Sequence, residues 1–266
     1  MPIEDDDLPK LSILLSAERL GKLHKLTGNI KAAIELHQKT LRLGADLMNI
    51  TASIEIALRN SICENLGQHF GAAGWLLNPP APFKWRDSEK SKITMAMDSA
   101  RRAEYSKLSQ AEKHALDLLA YPLGKPTNLS HLERAKKRRS HIQVSDGKII
   151  AELTFYVWKR LCGPDYEHTL WKPTLKKTFP NKRVKRSDVA DNLEIVYQTR
   201  NRLAHHEPVL HSRFTDTVSA IKYIAQHLET PVPSDQTPLY RLIAEDLAAV
   251  EDRANELHAE LDAFRT

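Results

Sequence analysis

The chain has 266 residues, of which 41% are hydrophobic and 27% charged, and its formal net charge is +5. These values are typical of a globular protein, and they exclude collagen-like and low-complexity chains. No run of about 18 apolar residues, the length that spans a membrane, occurs in the sequence. The acidic start from Glu4 to Asp7 is unlike a secretory signal. We therefore expect a soluble cytoplasmic protein with no membrane partner.

The two cysteines, Cys63 and Cys162, lack the partner spacing of a zinc site. Both lie within helical patterns, which favours reduced thiols in the core. We expect the protein to use no metal and no other cofactor.

Basic residues concentrate in two segments, whereas the chain after residue 239 is mainly acidic. Such segments attract polyanions, although basic residues can equally serve to solvate helix faces. The residues expected to contact nucleic acid are Lys136, Lys137, Arg138, Arg139, Lys172, Lys176, Lys177, Lys182, Arg183, Lys185 and Arg186.

Apolar residues recur at helical spacing along most of the chain, and strand-like alternation is nearly absent. The pattern predicts an all-α protein, a bundle of about eight to ten helices that forms one domain over residues 1–266. Within it we expect an N-terminal helical part at 10–120, a second part at 125–230 and a C-terminal helix at 239–266.

In the first half of the chain, helices are expected at about 11–26, 30–67, 87–107 and 110–120. Gly44 would kink or divide the second of these helices. The proline-rich segment between the second and third helices is the clearest loop. Thr127 and Asn128 are candidate caps for a further helix that begins near Leu129.

In the second half, helices are expected at about 148–161, 167–178, 187–206, 212–228 and 239–263. A turn at Asp146 and Gly147 precedes the first of these helices, and the second ends before Pro180.

The helix at 187–206 carries the strongest functional signal. Ser187 opens it, and it ends near His206 because Glu207 precedes Pro208. Arg200 falls in the middle of its apolar stripe. An arginine there requires either a carboxylate partner in the core or a cleft onto which the stripe opens.

Arg200, Asn201 and His205 together suit metal-free cleavage of RNA. A histidine can act as general base on the ribose 2′-hydroxyl, and an arginine can stabilise charge on the phosphorane. Asn201 could hold the imidazole or a phosphate oxygen, and His206 could be the general acid or a helix cap. Positions five apart on a straight helix diverge by about 140°, so convergence requires a distorted helix end or a partner subunit.

Arg19 and His24 repeat the spacing of Arg200 and His205. Leu20 follows Arg19, and the pair lies on an ordinary helix face. We therefore expect no functional role for this pair.

The segment from Tyr197 to Pro208 resembles the signature of the Abi-like (AbiD/AbiF) abortive-infection family. That family belongs to the HEPN superfamily, whose hallmark is an arginine, a polar residue and, after four to six intervening positions, a histidine. Blocks at 54–60, 152–158 and 170–173 resemble other parts of the family, so the resemblance covers roughly residues 10–230.

The resemblance implies a HEPN-type bundle that acts as a metal-independent endoribonuclease, an antiphage toxin of the bacterial cytoplasm. Arg200, Asn201, His205 and His206 would form its catalytic site, and the basic segments would guide RNA. RNA would be its substrate, and in some members a small inhibitory non-coding RNA restrains the toxin. Such proteins often form a composite site from two paired motifs.

Arg59 and Asn60 look like a degenerate second motif, but Glu64 and Asn65 stand where a histidine is expected. We expect Arg59 to pair with Glu55 one turn earlier, in a structural role. A site with two motifs would then require a homodimer.

Other interpretations remain open at this stage. Arg200 could bridge helices through a core carboxylate, and His205 could simply cap its helix. His205, His206, Glu207 and His211 could gather a metal, although their spacing matches no standard zinc pair. The functional alternatives are a non-catalytic RNA-binding or protein-interaction module on a HEPN scaffold, and a plain helical scaffold.

Overall fold

The computed structural model describes residues 3–71, 74–124, 126 and 128–265. These residues form helices and connecting segments, with no strand among them. The α-helices are α1 (Leu8–Leu15), α2 (Ala17–Thr27), α3 (Ile30–Phe70), α4 (Asp87–Lys107), α5 (Gln110–Ala120), α6 (His131–Arg139), α7 (Asp146–Glu152), α8 (Phe155–Leu161), α9 (Arg186–Ala204), α10 (Ser212–His227) and α11 (Pro238–Ala263). Shorter elements are 3-10 helices at Asp5–Asp7, Pro164–Tyr166 and Leu175–Thr178 and a π-helical segment at Glu167–Trp171. The predicted all-α class is confirmed.

The centre of the fold is α3, whose 41 residues extend over about 60 Å. Asn29 caps its start by accepting a hydrogen bond from the backbone of Ala32, and Gly71 ends it in the left-handed conformation. Gly44 neither kinks nor divides the helix, contrary to expectation. Its buried apolar residues recur every three or four positions from Leu43 to Leu66. They are Ala33, Ile34, Leu36, Leu43, Leu47, Ile50, Ile54, Leu58, Ile62 and Leu66.

The final helix, α11, lies antiparallel to α3. Its direction follows from the polar pairs between them, because partner numbers rise along α3 as they fall along α11. These pairs are Lys39 with Glu260, Asp46 with Arg253 and Asn49 with Asp246. The apolar face of α11 is buried at Ile243, Leu247, Val250, Ala254, Leu257 and Leu261.

Two expected helices are each broken into two by one or two residues with non-helical backbone. The described residues therefore form more helices than the eight to ten that the sequence predicts. Ser16 has a φ of 67° and separates α1 from α2. Leu153 and Thr154 are extended and separate α7 from α8. Leu153 is buried, so tertiary packing holds a break that the helical periodicity does not reveal. Asp146 lies in the first turn of α7 and not in a turn before the helix.

The helix expected from Leu129 begins at His131. Ser130 caps it in a capping box with Glu133, in which each side chain bonds the other residue's backbone amide. The proposed cap Thr127 lies outside the described residues.

A peripheral hairpin of α5 and α6 is fastened by a buried carboxylate. Asp117 accepts hydrogen bonds from Arg138 at 2.5 and 2.6 Å and also pairs with Arg134. Arg139 pairs with Asp98 of α4 at 3.6 Å. None of the helices in the described part of the chain is both long and apolar enough to cross a membrane.

Candidate functional site

The end of α9 is closed by backbone hydrogen bonds typical of the Schellman motif. His206 adopts a φ of 56°, the amide of His206 donates to the carbonyl of Leu203, and that of Glu207 donates to Arg202. Glycine normally occupies the left-handed position, because a side chain there is strained. The helix itself ends at Ala204, two residues before the expected end. His205 and His206 therefore lie beyond the last helical residue.

Arg200 opens onto a cleft and also faces a carboxylate. Its side chain is 36% exposed, and its Nε lies 3.9 Å from Oε2 of Glu55, a long contact for an ion pair. The cleft has a volume of about 380 Å³. The carboxylate partner and the cleft, which the sequence offered as alternatives for Arg200, are thus both present. The residues that line the cleft are Lys92, Thr154, Phe155, Tyr156, Tyr197, Arg200 and Asn201.

Glu55 lies mostly beneath the surface, and burial raises the pKa of its carboxyl group above the ordinary value. The charges of Arg200 and Arg59 and the backbone amide of Phe155 partly offset this effect. The expected ion pair between Arg59 and Glu55 does not form, because Nε of Arg59 donates to Asn60 instead. Glu55 turns towards Arg200 and the start of α8.

Aromatic and cationic side chains form one wall of the cleft. The rings of Tyr156 and Tyr197 lie 6.1 Å apart. Nζ of Lys159 stands 4.2 Å from the ring centre of Tyr197, and Nζ of Lys92 stands 5.9 Å from that of Tyr156. Aromatic faces beside cations suit a ligand with both planar and anionic groups.

His205 is exposed and stands at the end of α9, outside the lining of the Arg200 cleft. Its backbone amide donates to the carbonyl of Asn201 at 3.2 Å. Tyr197 and Asn201 are four residues apart and share one face of α9, whereas Arg200 belongs to the neighbouring row. His205 follows the last residue of the helix.

His206 lies elsewhere, in a second cleft of about 710 Å³. Its carbonyl accepts a hydrogen bond from Nη1 of Arg19 at 3.0 Å. Sequence reasoning discounted Arg19, and no local signal could have found this contact, because the two residues are 187 positions apart.

The side chains of His205, His206, Glu207 and His211 do not come together as a metal site. The ring of His211 stacks on His258 with centres 4.5 Å apart, and Glu207 pairs with Arg202 at 2.8 Å. Across the described ranges, no three histidine, cysteine or acidic side chains come close enough to hold a metal ion. Both cysteines are free, and burial raises the pKa of Cys63 to about 11.

Comparisons of the chain with models of protein families, with curated proteins and with solved structures give no match. The functional argument therefore depends on the residues of the site and on their chemistry.

The basic residues predicted to contact nucleic acid divide into two groups. Arg138 and Arg139 are buried in ion pairs of the α4–α6 region. Lys176 donates to two backbone carbonyls and Arg186 pairs with Glu167, so both brace the segment before α9. The exposed members are Lys136, Lys137, Lys172, Lys177, Lys182, Arg183 and Lys185.

Proposed function

We propose that this chain is a metal-independent HEPN-type endoribonuclease that cleaves RNA as an abortive-infection toxin of the bacterial cytoplasm. The observation that carries the proposal is the cleft at Arg200 and Asn201. An arginine that served only the core would be enclosed and closely bonded to its carboxylate. Arg200 instead remains 36% exposed, with Glu55 at 3.9 Å, and can turn its donors to a phosphate.

The chemistry assigned to these residues balances without a metal. His205 takes the proton of a ribose 2′-hydroxyl, and the 2′-oxygen bonds to the adjacent phosphorus. The bond from phosphorus to the 5′-oxygen breaks, and that oxygen receives a proton from a general acid, the role proposed for His206. Arg200 stabilises the charge on the phosphorane, and Asn201 orients the imidazole or a phosphate oxygen. The products carry a 2′,3′-cyclic phosphate and a 5′-hydroxyl.

A second copy of the chain would complete this site. His205 does not line the cleft that contains Arg200, and His206 belongs to the cleft on the other side. Two α9 ends placed side by side would bring the histidine of one subunit to the arginine of the other. We therefore propose a homodimer as the active form.

RNA would reach the site through the exposed basic residues. The proposal keeps Lys177, Lys182, Arg183 and Lys185, which precede α9, as contacts to RNA phosphates. The faces of Tyr156 and Tyr197 offer stacking surfaces for unpaired bases. A small non-coding RNA could inhibit the enzyme by occupying the same surfaces.

Separate measurements of cleavage and of binding test the proposal. We expect Arg200→Ala and His205→Ala to reduce RNA cleavage by at least about 100-fold, the usual contribution of a positioned acid–base group. Both variants should still bind RNA through the basic residues. His114→Ala, which removes an exposed histidine of α5, is the matched control and should cleave RNA like the wild type.

The second candidate is a non-catalytic RNA-binding or protein-interaction module on the same scaffold. The ion pair of Arg200 with Glu55 and the distance of His205 from the cleft favour it. It predicts RNA binding without cleavage by any of these proteins. A plain scaffold would show no RNA affinity that weakens with salt.

A further inference from the structure

The cleft that contains His206 lies on the other side of α9 from Arg200, and His206 is the one proposed catalytic residue in its lining. It lies between α2, the start of α3, the loop after α9 and the end of α11. Arg202 lines it, and Arg202 is about 200° around α9 from Arg200. A ligand here would therefore occupy the opposite side of α9, and its binding does not depend on ribonuclease activity.

The walls of this cleft are largely apolar. Leucines from three elements line it, together with Pro208. No tyrosine, tryptophan or phenylalanine lines it within the described residues, and its planar side chains are imidazoles and guanidinium groups. A flexible hydrocarbon chain fits such walls better than a base does. The leucines are Leu23, Leu26, Leu210 and Leu261.

Cations outnumber acids at the same cleft. Four basic side chains and two acidic side chains line it. Arg202 pairs with the lining Glu207 and Arg265 pairs with Asp262, whereas Arg19 and Lys22 form no ion pair within the described residues. Nε of Arg202 is buried with no hydrogen-bond partner among the described residues. Such an orphaned donor is costly unless a ligand or water satisfies it. The basic residues are Arg19, Lys22, Arg202 and Arg265.

His37 is a further polar group in this wall. It is only 6% exposed, it lines the cleft from α3, and its ring bonds no other described residue. Burial, with the nearby charge of Arg19, lowers the pKa of His37. The ring is therefore neutral at pH 7 and retains one N–H group to donate.

We propose that this cleft binds a medium-chain carboxylate, with the carboxylate held among the basic side chains and the chain laid against the leucines. Charge complementarity selects an anion, and the apolar walls require a hydrocarbon body. Arg202 and His37 supply donors that otherwise lack partners. A fully hydrated inorganic anion would leave the leucines uncovered, and an uncharged alkanol would leave the cations unused.

Calorimetric titration of the full chain with decanoate, below the concentration at which it forms micelles, tests the proposal. We expect saturable binding of one decanoate per chain, with octanoate weaker by about fourfold for each missing methylene. Decanol, inorganic phosphate and adenosine monophosphate should each bind at least about tenfold more weakly.

A pair of variants locates the site. Lys22→Gln with Arg265→Gln removes two cations that do not brace α9, and we expect decanoate affinity to fall at least about tenfold. Arg241→Gln, at the other end of α11, is the matched control and should bind like the wild type. In an NMR spectrum, decanoate should shift the imidazole signal that disappears in His37→Gln.

Three results would overturn the proposal. They are the absence of decanoate binding to the folded wild type, equal affinity for decanol, and equal affinity in the double variant and in Arg241→Gln. Tighter binding of adenosine monophosphate than of decanoate would also contradict the choice of a hydrocarbon body.

Discussion

At the scale of single residues, Glu55 and Arg200 determine each other's state. The carboxyl group is mostly buried, and the charge of the guanidinium opposite it lowers its pKa more than that of Arg59 does. Because the contact with Arg200 is long, burial raises the pKa of Glu55 more than the charge of Arg200 lowers it. The carboxylate orients the arginine, and at 3.9 Å it leaves the donors of the guanidinium group available to a ligand.

Replacement of Glu55 by glutamine should change the pH dependence of stability. A raised pKa means that the folded chain holds this proton more tightly than the unfolded chain does. The stabilisation is therefore complete below the ordinary value of 4.5 and is lost as pH rises through the raised pKa. Relative to Glu55→Gln, the free energy of unfolding of the wild type should fall over that window and then level off.

Urea unfolding of both proteins at a series of pH values measures this difference. Glu35→Gln removes an exposed carboxylate of the same helix and is the control, because its difference from the wild type should vary little. A relative stability of the wild type that rises with pH would mean that Arg200 attracts Glu55 more strongly than burial opposes its charge.

At the scale of helices, α3 and α9 approach closely at Gly44. A Cβ atom at this position would lie 3.3 Å from Cδ2 of Leu203, which is tight, whereas one at Gly67 of the same helix would meet no atom. Since Leu203 lies one turn before the Schellman end of α9, the glycine helps to position the proposed site.

The two glycines provide a matched pair of substitutions. Gly67→Ala should raise the free energy of unfolding by about 0.5–1 kcal/mol, because alanine is the better helix former. Gly44→Ala should raise the free energy of unfolding by clearly less, since Leu203 must shift to accommodate the methyl group. Denaturant unfolding measures both values, and equal gains would show that α9 is free to move away from α3.

The α5–α6 hairpin depends on a single carboxylate. Hydrogen bonds from Arg134 and Arg138 hold the pKa of Asp117 well below its ordinary range. The stabilisation is therefore present above pH 3.8 and is lost as pH falls through the lowered pKa. Asp117→Asn should destabilise the hairpin by about 3 kcal/mol, because it leaves the buried guanidinium group of Arg138 and the half-buried one of Arg134 without their charge partner.

Amide hydrogen exchange detects this change by position. In Asp117→Asn, the amides of α5 and α6 should exchange faster while those of α3 and α11 keep their protection. Asp252→Asn removes an exposed carboxylate from α11 and should alter neither region. Uniform loss of protection along the chain would contradict a locally fastened hairpin.

Helices with strong local signals were predictable, and breaks held by distant contacts were not. The expected bounds of α4 and α5 agree with the structure, since periodicity marks both and a capping box at Ser109 starts α5. The break at Ser16 and the extended residues Leu153 and Thr154 have no such signal. At the site, the position of Arg200 in an apolar stripe predicted either a cleft or a carboxylate partner. The sequence could not identify Glu55 as that partner or predict the contact of Arg19 with His206, because both depend on how distant helices pack.

At the scale of the whole molecule, α9 separates two clefts of different character. One side presents Arg200 and Asn201 beside tyrosines, and the other presents leucines and cations around His206. The proposed catalytic histidine stands at the helix end between them. This arrangement is why we propose that catalysis requires a second subunit.

A mixture of two inactive variants tests the shared site. If arginine and histidine act across the dimer interface, Arg200→Ala mixed with His205→Ala should regain part of the wild-type cleavage, because mixed dimers contain one intact pair. Each variant alone should stay inactive. A mixture that stays inactive after subunit exchange would place both residues of each site in one chain.

Cleavage of a mixed RNA pool in excess EDTA by the wild type and by His205→Ala, with analysis of the RNA ends, tests whether the protein is a metal-free ribonuclease with His205 as its base. We expect cleavage by the wild type alone, which leaves 2′,3′-cyclic phosphate or 3′-phosphate ends opposite 5′-hydroxyl ends. Equal cleavage by both proteins would show that His205 is not the base, and RNA that is bound but never cut would show that the protein is not a ribonuclease.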